Sequence, residues 1–184
     1  MAKNLILILG GARSGKSRFA QQLAEKFGGK VLFVATGQPL DDEMASRIEE
    51  HKKKRPQNWR TLEIDIKVGQ KLRERIADAE VVLLDCLTLL VSNVILNRVR
   101  NSEEASFAGA EKYVTAELEN LIACMDKHES IFIVVSNEVG LGLVPDNKLG
   151  RVYRDLLGKA NQLLAQHADE VYFMASGIPV KIKG

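Results

Sequence analysis

The segment Gly10-Gly11-Ala12-Arg13-Ser14-Gly15-Lys16-Ser17 limits what this chain can fold into more than any other stretch. It matches the pattern G-x-x-x-x-G-K-[ST] in full, and its flanks match as well. Before it, Asn4–Leu9 (NLILIL) is an unbroken apolar run ended by glycines, as a strand buried on both faces of a parallel sheet reads. After it, Phe19, Leu23 and Phe27 recur at helical spacing with Ala20 and Ala24 beside them, and Gly28-Gly29 offers a stop. Val31–Ala35 (VLFVA) is the next buried strand and completes a β-α-β unit. In such a P-loop, glycines let the backbone curl so that N–H groups point at phosphate oxygens. The helix N-terminus adds its dipole, Lys16 reaches the outer phosphates, and the Ser17 hydroxyl can ligate Mg²⁺. The prediction is a protein that binds a purine nucleoside triphosphate through its phosphates.

The rest of the chain alternates in the same way. Asp41 and Asp42 form an N-cap region for a helix through Arg55, stopped by Pro56. Trp59–Ile64 fits a short strand, Val68–Ala77 a helix, Glu80–Asp85 (EVVLLD) a third core strand and Leu87–Leu96 a further helix. Asn97–Ser106 reads as a flexible loop and Glu111–Met125 as an amphipathic helix. Ile131–Ser136 (IFIVVS) is a fourth core strand, Gly140–Pro145 a loop and Leu149–His167 a long helix. Val171–Ala175, a turn at Ser176-Gly177 and Val180–Ile182 are close enough for a hairpin, which would make the sheet mixed. Strands alternating with helices, without repeat or linker, predict a single three-layer α/β domain over residues 1–184.

Composition excludes several classes. Hydrophobic residues make up 46% and charged residues 27%, which is a globular range. A net charge of +2 argues against a general nucleic-acid binder. No stretch approaches the roughly 18 apolar residues of a membrane helix. The apolar start runs straight into the P-loop without a small-residue cleavage site, so it reads as a strand and not a signal peptide. Cys86 and Cys124 have no metal or redox spacing and fit reduced, mostly buried thiols of a cytoplasmic protein.

Two further features carry chemistry. Asp85 ends an apolar strand (VVLLD), where P-loop proteins present a second Mg²⁺-holding carboxylate. The segment Asp41–Arg55 places Met44, Ile48, His51 and Arg55 on one helical face, with Arg47 four residues before His51. Cations around an inward histidine lower its pKa, and a neutral imidazole is what a nucleophile requires. Arg and Lys side chains beside it can hold phosphates for attack. The same pattern also fits a solvated basic helix end, where Lys and Arg complement the dipole. His128 and His167 have no comparable setting.

GGARSGKS, ATGQPLDDEMASRIEEHKKKRPQNWRTLE, LLDCLT, SNEVGLGLVPDNKLGRVYRD and ASGIPVKIK follow in that order from Gly10 to Lys183. Together they resemble the bifunctional adenosylcobinamide kinase/adenosylcobinamide-phosphate guanylyltransferase. The DDEM-x-x-RI-x-x-H-x-x-x-R-P and NEVG-x-G-x-VP segments are the specific part. The resemblance implies a RecA-like P-loop fold assembled as a homotrimer, acting late in cobalamin assembly. It implies phosphorylation of the aminopropanol hydroxyl of adenosylcobinamide, with GTP or ATP as co-substrate and Mg²⁺ as cofactor. GMP then passes from GTP to adenosylcobinamide phosphate through a GMP–histidine intermediate, which puts the nucleophile at His51. Glu50 stands where some members carry a second histidine. Family GTP contacts fall on Gly10, Gly11, Ala12, Arg13, Ser14, Gly15, Lys16 and Ser17, on Ala35, Thr36 and Gly37, on Lys52, Lys53, Lys54 and Arg55, and on Glu63 and Asp85. Lys16 and His51 are the expected catalytic pair, with Mg²⁺ between Ser17 and Asp85.

Other readings remain open at this level. A plain P-loop small-molecule kinase would use the His51 helix as a nucleotide lid. A regulatory nucleotide-binding protein would do no chemistry. The loop Val139–Pro145 suits either contact with the corrin or burial between subunits.

Overall fold

In the computed structural model the described residues are 5–39, 41–53, 55–100 and 109–184, with backbone alone at Glu43, Arg47, His51 and Arg100. The order is β1 (Leu5–Gly10), α1 (Lys16–Phe27), β2 (Val31–Ala35), α2 (Asp42–Lys53), β3 (Arg60–Glu63), α3 (Val68–Arg75), β4 (Val81–Asp85), α4 (Leu87–Arg100), α5 (Ala110–Met125), β5 (Ile131–Val135), α6 (Lys148–His167), β6 (Glu170–Ala175) and β7 (Ile178–Lys183). Among the described residues the strands form one seven-stranded sheet, ordered β3-β2-β4-β5-β1-β6-β7. All neighbours are parallel except β6 and β7.

The continuous apolar runs exist because both faces of the sheet are covered. Along β1, Leu5, Leu7 and Leu9 join one core with α3, α4, α5 and α6. Ile6 and Ile8 join a second core with Ala20 and Ala24 of α1. The same alternation divides β4 and β5, so the architecture is three-layered, as expected. Gly69 lets α3 approach α5 closely: a Cβ there would meet the backbone of Asn120 and Leu121.

The C-terminal hairpin is present. Ser176 and Gly177 both have positive φ, 49° and 84°, the pattern of a two-residue turn matched to strand twist. Pro179 is tolerated because β7 is the sheet edge. The strand is longer than the expected Val180–Ile182.

Several helix limits differ from the sequence reading: α3 ends at Arg75 and not at Ala77, and α5 and α6 each begin one residue earlier than expected, at Ala110 and Lys148. α2 stops at Lys53 and not at Arg55. The Arg55 N–H bonds to Lys52 O at 3.3 Å, a tight turn, because Pro56 disfavours a helical residue before it. α4 continues through Asn97 to Arg100, where a loop was expected. No glycine or proline interrupts that stretch, and the Arg98 guanidinium lies 5.1 Å over the Tyr113 ring of α5. Residues 101–106 of the expected loop lie outside the described residues.

Candidate active site

The chain leaves β1 toward β2 on one side of the sheet, while β5 connects to β6 on the other. Open α/β sheets bind ligands at such a reversal, beyond the carboxyl ends of the strands. There the structure has a cleft of about 870 Å³, within the usual range for small-ligand sites.

The loop Gly10–Ser17 forms one wall. Gly10 has φ +151°, and a Cβ on it would stand 2.8 Å from Met174 O and 2.7 Å from Ser14 Oγ. Gly15 caps α1 at φ +94° with no side-chain cap, which leaves the first N–H groups of α1 for a ligand. Lys16 is only 7% exposed. Its Nζ donates to Gly11 O at 2.5 Å and to Ser14 Oγ at 3.4 Å, so it lies curled across the loop. Burial lowers its pKa, while Cys86 and Asp85 oppose that shift. The C-terminal hairpin braces this wall: the Gly177 N–H donates to Ser14 O at 3.0 Å.

The floor is made by strand ends. Asp85 is in register with Ala35 on one side and Val135 on the other. Thr36 clasps β2 to β4, its hydroxyl donating to Cys86 O at 2.7 Å and accepting from the Cys86 N–H at 2.9 Å. Burial pushes the Cys86 thiol up to about 12, with the charge of Asp85 adding to the shift, so it stays a neutral thiol near neutral pH. Cys86 and Cys124 are both free.

α2 forms the opposite wall. The Asp41 carboxylate accepts from the Met44 N–H at 2.7 Å, the expected N-cap. Met44, Ala45 and Ile48 present an apolar face to the cleft. Lys52 ties the helix down, with Nζ 2.9 Å from Glu63 Oε1 of β3 and 3.3 Å from Glu49 Oε1. Just past the helix, the Arg55 guanidinium stacks 3.7 Å over the Phe33 ring. Burial lowers its pKa, and Asp85 and Glu63 hold it up.

Most of the expected residues meet here. Ala12, Arg13, Ser14, Gly15, Lys16, Ser17, Ala35, Gly37, Lys52, Arg55, Glu63 and Asp85 line the one cleft. Gly10 and Gly11 shape the loop beneath it. Thr36 does not line it, because its side chain is fully buried in the strand clasp. Lys53 is exposed and does not line it either. Lys54 lies outside the described residues. His51 is on α2, and its side chain lies outside the description. Sequence reasoning missed Phe33, Thr88 and Asn137 as cleft residues and did not assign Met44 or Ile48 a role there. The apolar spacing of Met44 and Ile48 on a charged helix was the available signal. Phe33 and Asn137 had none, because strand register brings them in.

Ser17 and Asp85 bring hydroxyl and carboxylate oxygens to the same cleft, a donor set that suits Mg²⁺. Among the described residues no group of three or more His, Cys, Asp or Glu could hold a metal. No described helix is long and apolar enough to cross a membrane.

Comparison with known proteins places this arrangement. Residues 6–182 match the family model described as cobinamide kinase / cobinamide phosphate guanyltransferase. The chain is 43% identical over 181 residues to the bifunctional adenosylcobalamin biosynthesis protein CobU of Escherichia coli, covering 97% of this chain and 99% of that one. It is 40% identical over 178 residues to the bifunctional adenosylcobalamin biosynthesis protein CobP of Pseudomonas aeruginosa, covering 97% and 96%. Among solved structures, the RadB recombinase is similar in fold, with a TM-score of 0.52 and 16% identity over 93% of this chain and 74% of that one. The expected RecA-like P-loop architecture is therefore present, and the chain belongs to the cobinamide kinase / cobinamide phosphate guanyltransferase family.

Proposed function

We propose that this chain, as one cytoplasmic domain over residues 1–184, phosphorylates adenosylcobinamide and then transfers GMP from GTP to adenosylcobinamide phosphate. The observation that carries the proposal is the single cleft with two unlike walls: a phosphate loop with Lys16 on one side, and on the other the helix that bears His51. The family match over nearly the whole chain supports both reactions.

In the kinase step GTP or ATP lies with its phosphates along Gly10–Ser17. The aminopropanol hydroxyl attacks the γ-phosphorus in line, and the bond to the bridging oxygen breaks. In GMP transfer a ring nitrogen of His51 attacks the α-phosphorus of GTP. A P–N bond forms, the bond to the β-phosphate oxygen breaks, and pyrophosphate leaves. The phosphate of adenosylcobinamide phosphate then attacks the same phosphorus, breaks the P–N bond and frees His51. Lys16 and the loop N–H groups stabilise the negative charge that develops on the departing phosphates. Mg²⁺ held by Ser17 and Asp85 would supply further charge neutralisation. The apolar face of Met44 and Ile48, with Arg55 and Glu63 beyond it, is suited to the nucleoside end. Leu141, Leu143 and Val144, which are 80%, 96% and 67% exposed, supply apolar surface for a homotrimer.

Incubation with [α-³²P]GTP and Mg²⁺ tests the reading. The wild-type protein takes up acid-labile label and releases it to adenosylcobinamide phosphate. His51→Ala takes up none and keeps kinase activity. Label persisting on His51→Ala places the nucleophile elsewhere.

A further inference from the structure

β3 is the edge of the sheet, four residues long and paired on one side only. It nevertheless carries Glu63, the partner of Lys52 on α2. β2, beside it, leads into Gly37, which is hemmed in by two helices. A Cβ there would stand 3.5 Å from Ile48 Cδ1 of α2 and 3.4 Å from Leu89 Cδ1 of α4. Glu63 and Gly37 are thus two places where α2 rests on the sheet, one at the end of each strand.

A buried side chain joins those two ends. Backbone pairing carries β2 and β3 as far as the Ile64 N–H, which donates to Ala35 O at 2.8 Å. One residue further along each strand, Thr36 O and Asp65 O both accept from Asn93 Nδ2, at 2.8 and 3.0 Å. Asn93 is 8% exposed and stands four residues after Leu89 on the same face of α4. Its amide group has two hydrogens, one for each carbonyl. Asp65 is held from its other side as well. Its carboxylate accepts from Gln38 Nε2 at 2.7 Å, from the Ile66 N–H at 2.9 Å and from Lys71 Nζ at 3.3 Å. Burying polar groups is costly unless each is satisfied, and a satisfied network makes its surroundings rigid. The Asn93 carboxamide therefore takes over from the backbone ladder at the point where the ladder stops.

We propose that Asn93 is a positioning residue for GMP transfer: by joining the ends of β2 and β3 it fixes the seat of α2, the helix that bears His51. The proposal deepens the functional reading above and rests on its placing the nucleophile on α2. In that step the P–N bond forms as the bond to the β-phosphate oxygen breaks and pyrophosphate leaves. Displacing an attacking group by about 1 Å can cost on the order of 100-fold in rate. The kinase step takes its alignment from the phosphate loop between β1 and α1, to which Asn93 makes no hydrogen bond among the described residues. Asn93 therefore acts on one reaction of the two.

The test measures both reactions at saturating triphosphate on Asn93→Ala and Asn93→Asp. The second keeps the shape but turns an oxygen toward the two carbonyls. The initial rate of label uptake from [α-³²P]GTP reads the attack by the protein. Transfer from [γ-³²P]GTP to adenosylcobinamide reads the kinase and confirms folding. Label uptake slows about 10-fold in Asn93→Ala and further in Asn93→Asp, while the kinase kcat stays near wild type. Ile48→Ala adds a readout that a role in stability alone would not move. It slows label uptake in the wild-type background and adds little in Asn93→Ala, because both changes act through one seat. Should either Asn93 variant lose its fold by circular dichroism, Asn93→Ser, which keeps one donor, carries the same comparison. Undiminished label uptake, equal loss of both reactions, or independent effects of the Asn93 and Ile48 changes overturns the assignment. A wild-type protein that takes up no label, or a His51→Ala protein that does, overturns the functional reading itself, and the assignment falls with it.

Discussion

The two walls of the cleft are built on different terms. The phosphate-loop wall is continuous with the core: α1 buries Lys16, Ala20 and Ala24, Gly10 fits between Ser14 and Met174, and the hairpin turn braces Ser14 from outside. The α2 wall is attached from its surface. None of its described side chains is buried, and its described ties are the partly exposed Lys52–Glu63 pair and Ile48, which lies against Gly37. An exposed ion pair contributes about 0–1 kcal/mol, so this tie holds α2 less firmly than core burial holds the loop. Under the proposed chemistry this asymmetry is useful. The phosphates keep one seat, while different phosphorus atoms must meet different nucleophiles.

The largest effect that would break the contrast comes from the rigid wall. Lys16→Met lowers both kinase and GMP-transfer kcat by at least about 100-fold, with circular dichroism unchanged. Full retention of either activity would show that the two reactions do not share the loop. Gly10→Ala acts on stability. Its Cβ must enter the space held by Met174 O and Ser14 Oγ, and the positive φ resists any side chain, so unfolding in denaturant shows a loss of about 1–3 kcal/mol. A neutral result would mean the loop is less tightly seated than the contrast requires. The smallest effect belongs to the other wall. Lys52→Met changes stability by less than about 1 kcal/mol and leaves the kinase near wild type, while KM for GTP in GMP transfer rises a fewfold. Kinase loss equal to the loss in GMP transfer would erase the distinction between the walls.

The phosphate-loop half was readable in the sequence because its constraints are local. A strand, a glycine-bearing turn and a helix dipole are all encoded within Leu5–Phe27, and each appears where the pattern placed it. The α2 half was readable as a helix, down to the Asp41 cap. Its end was misjudged by extending the face to Arg55, although Pro56 constrains the residue before it. The Arg55 N–H instead bonds back to Lys52 O, and Arg55 reaches the cleft by stacking on Phe33 and not as the next helical residue in line. Thr36 is placed differently from its neighbours. Its neighbours Ala35 and Gly37 line the cleft, but its hydroxyl is committed to the Cys86 backbone fifty residues away.

By itself the sequence determined the order of strands and helices, the phosphate loop, the carboxylate at the tip of β4 and, through the ordered motifs, the family. These are short-range patterns, and a pattern survives whatever the rest of the chain does. The tertiary structure decided which strands are neighbours. β5 sits between β1 and β4, and that placement is a property of the packed sheet that no local spacing records. It carries Asn137 to the mouth of the phosphate loop and lets Thr88 and Asn161, from two different helices, converge on its backbone.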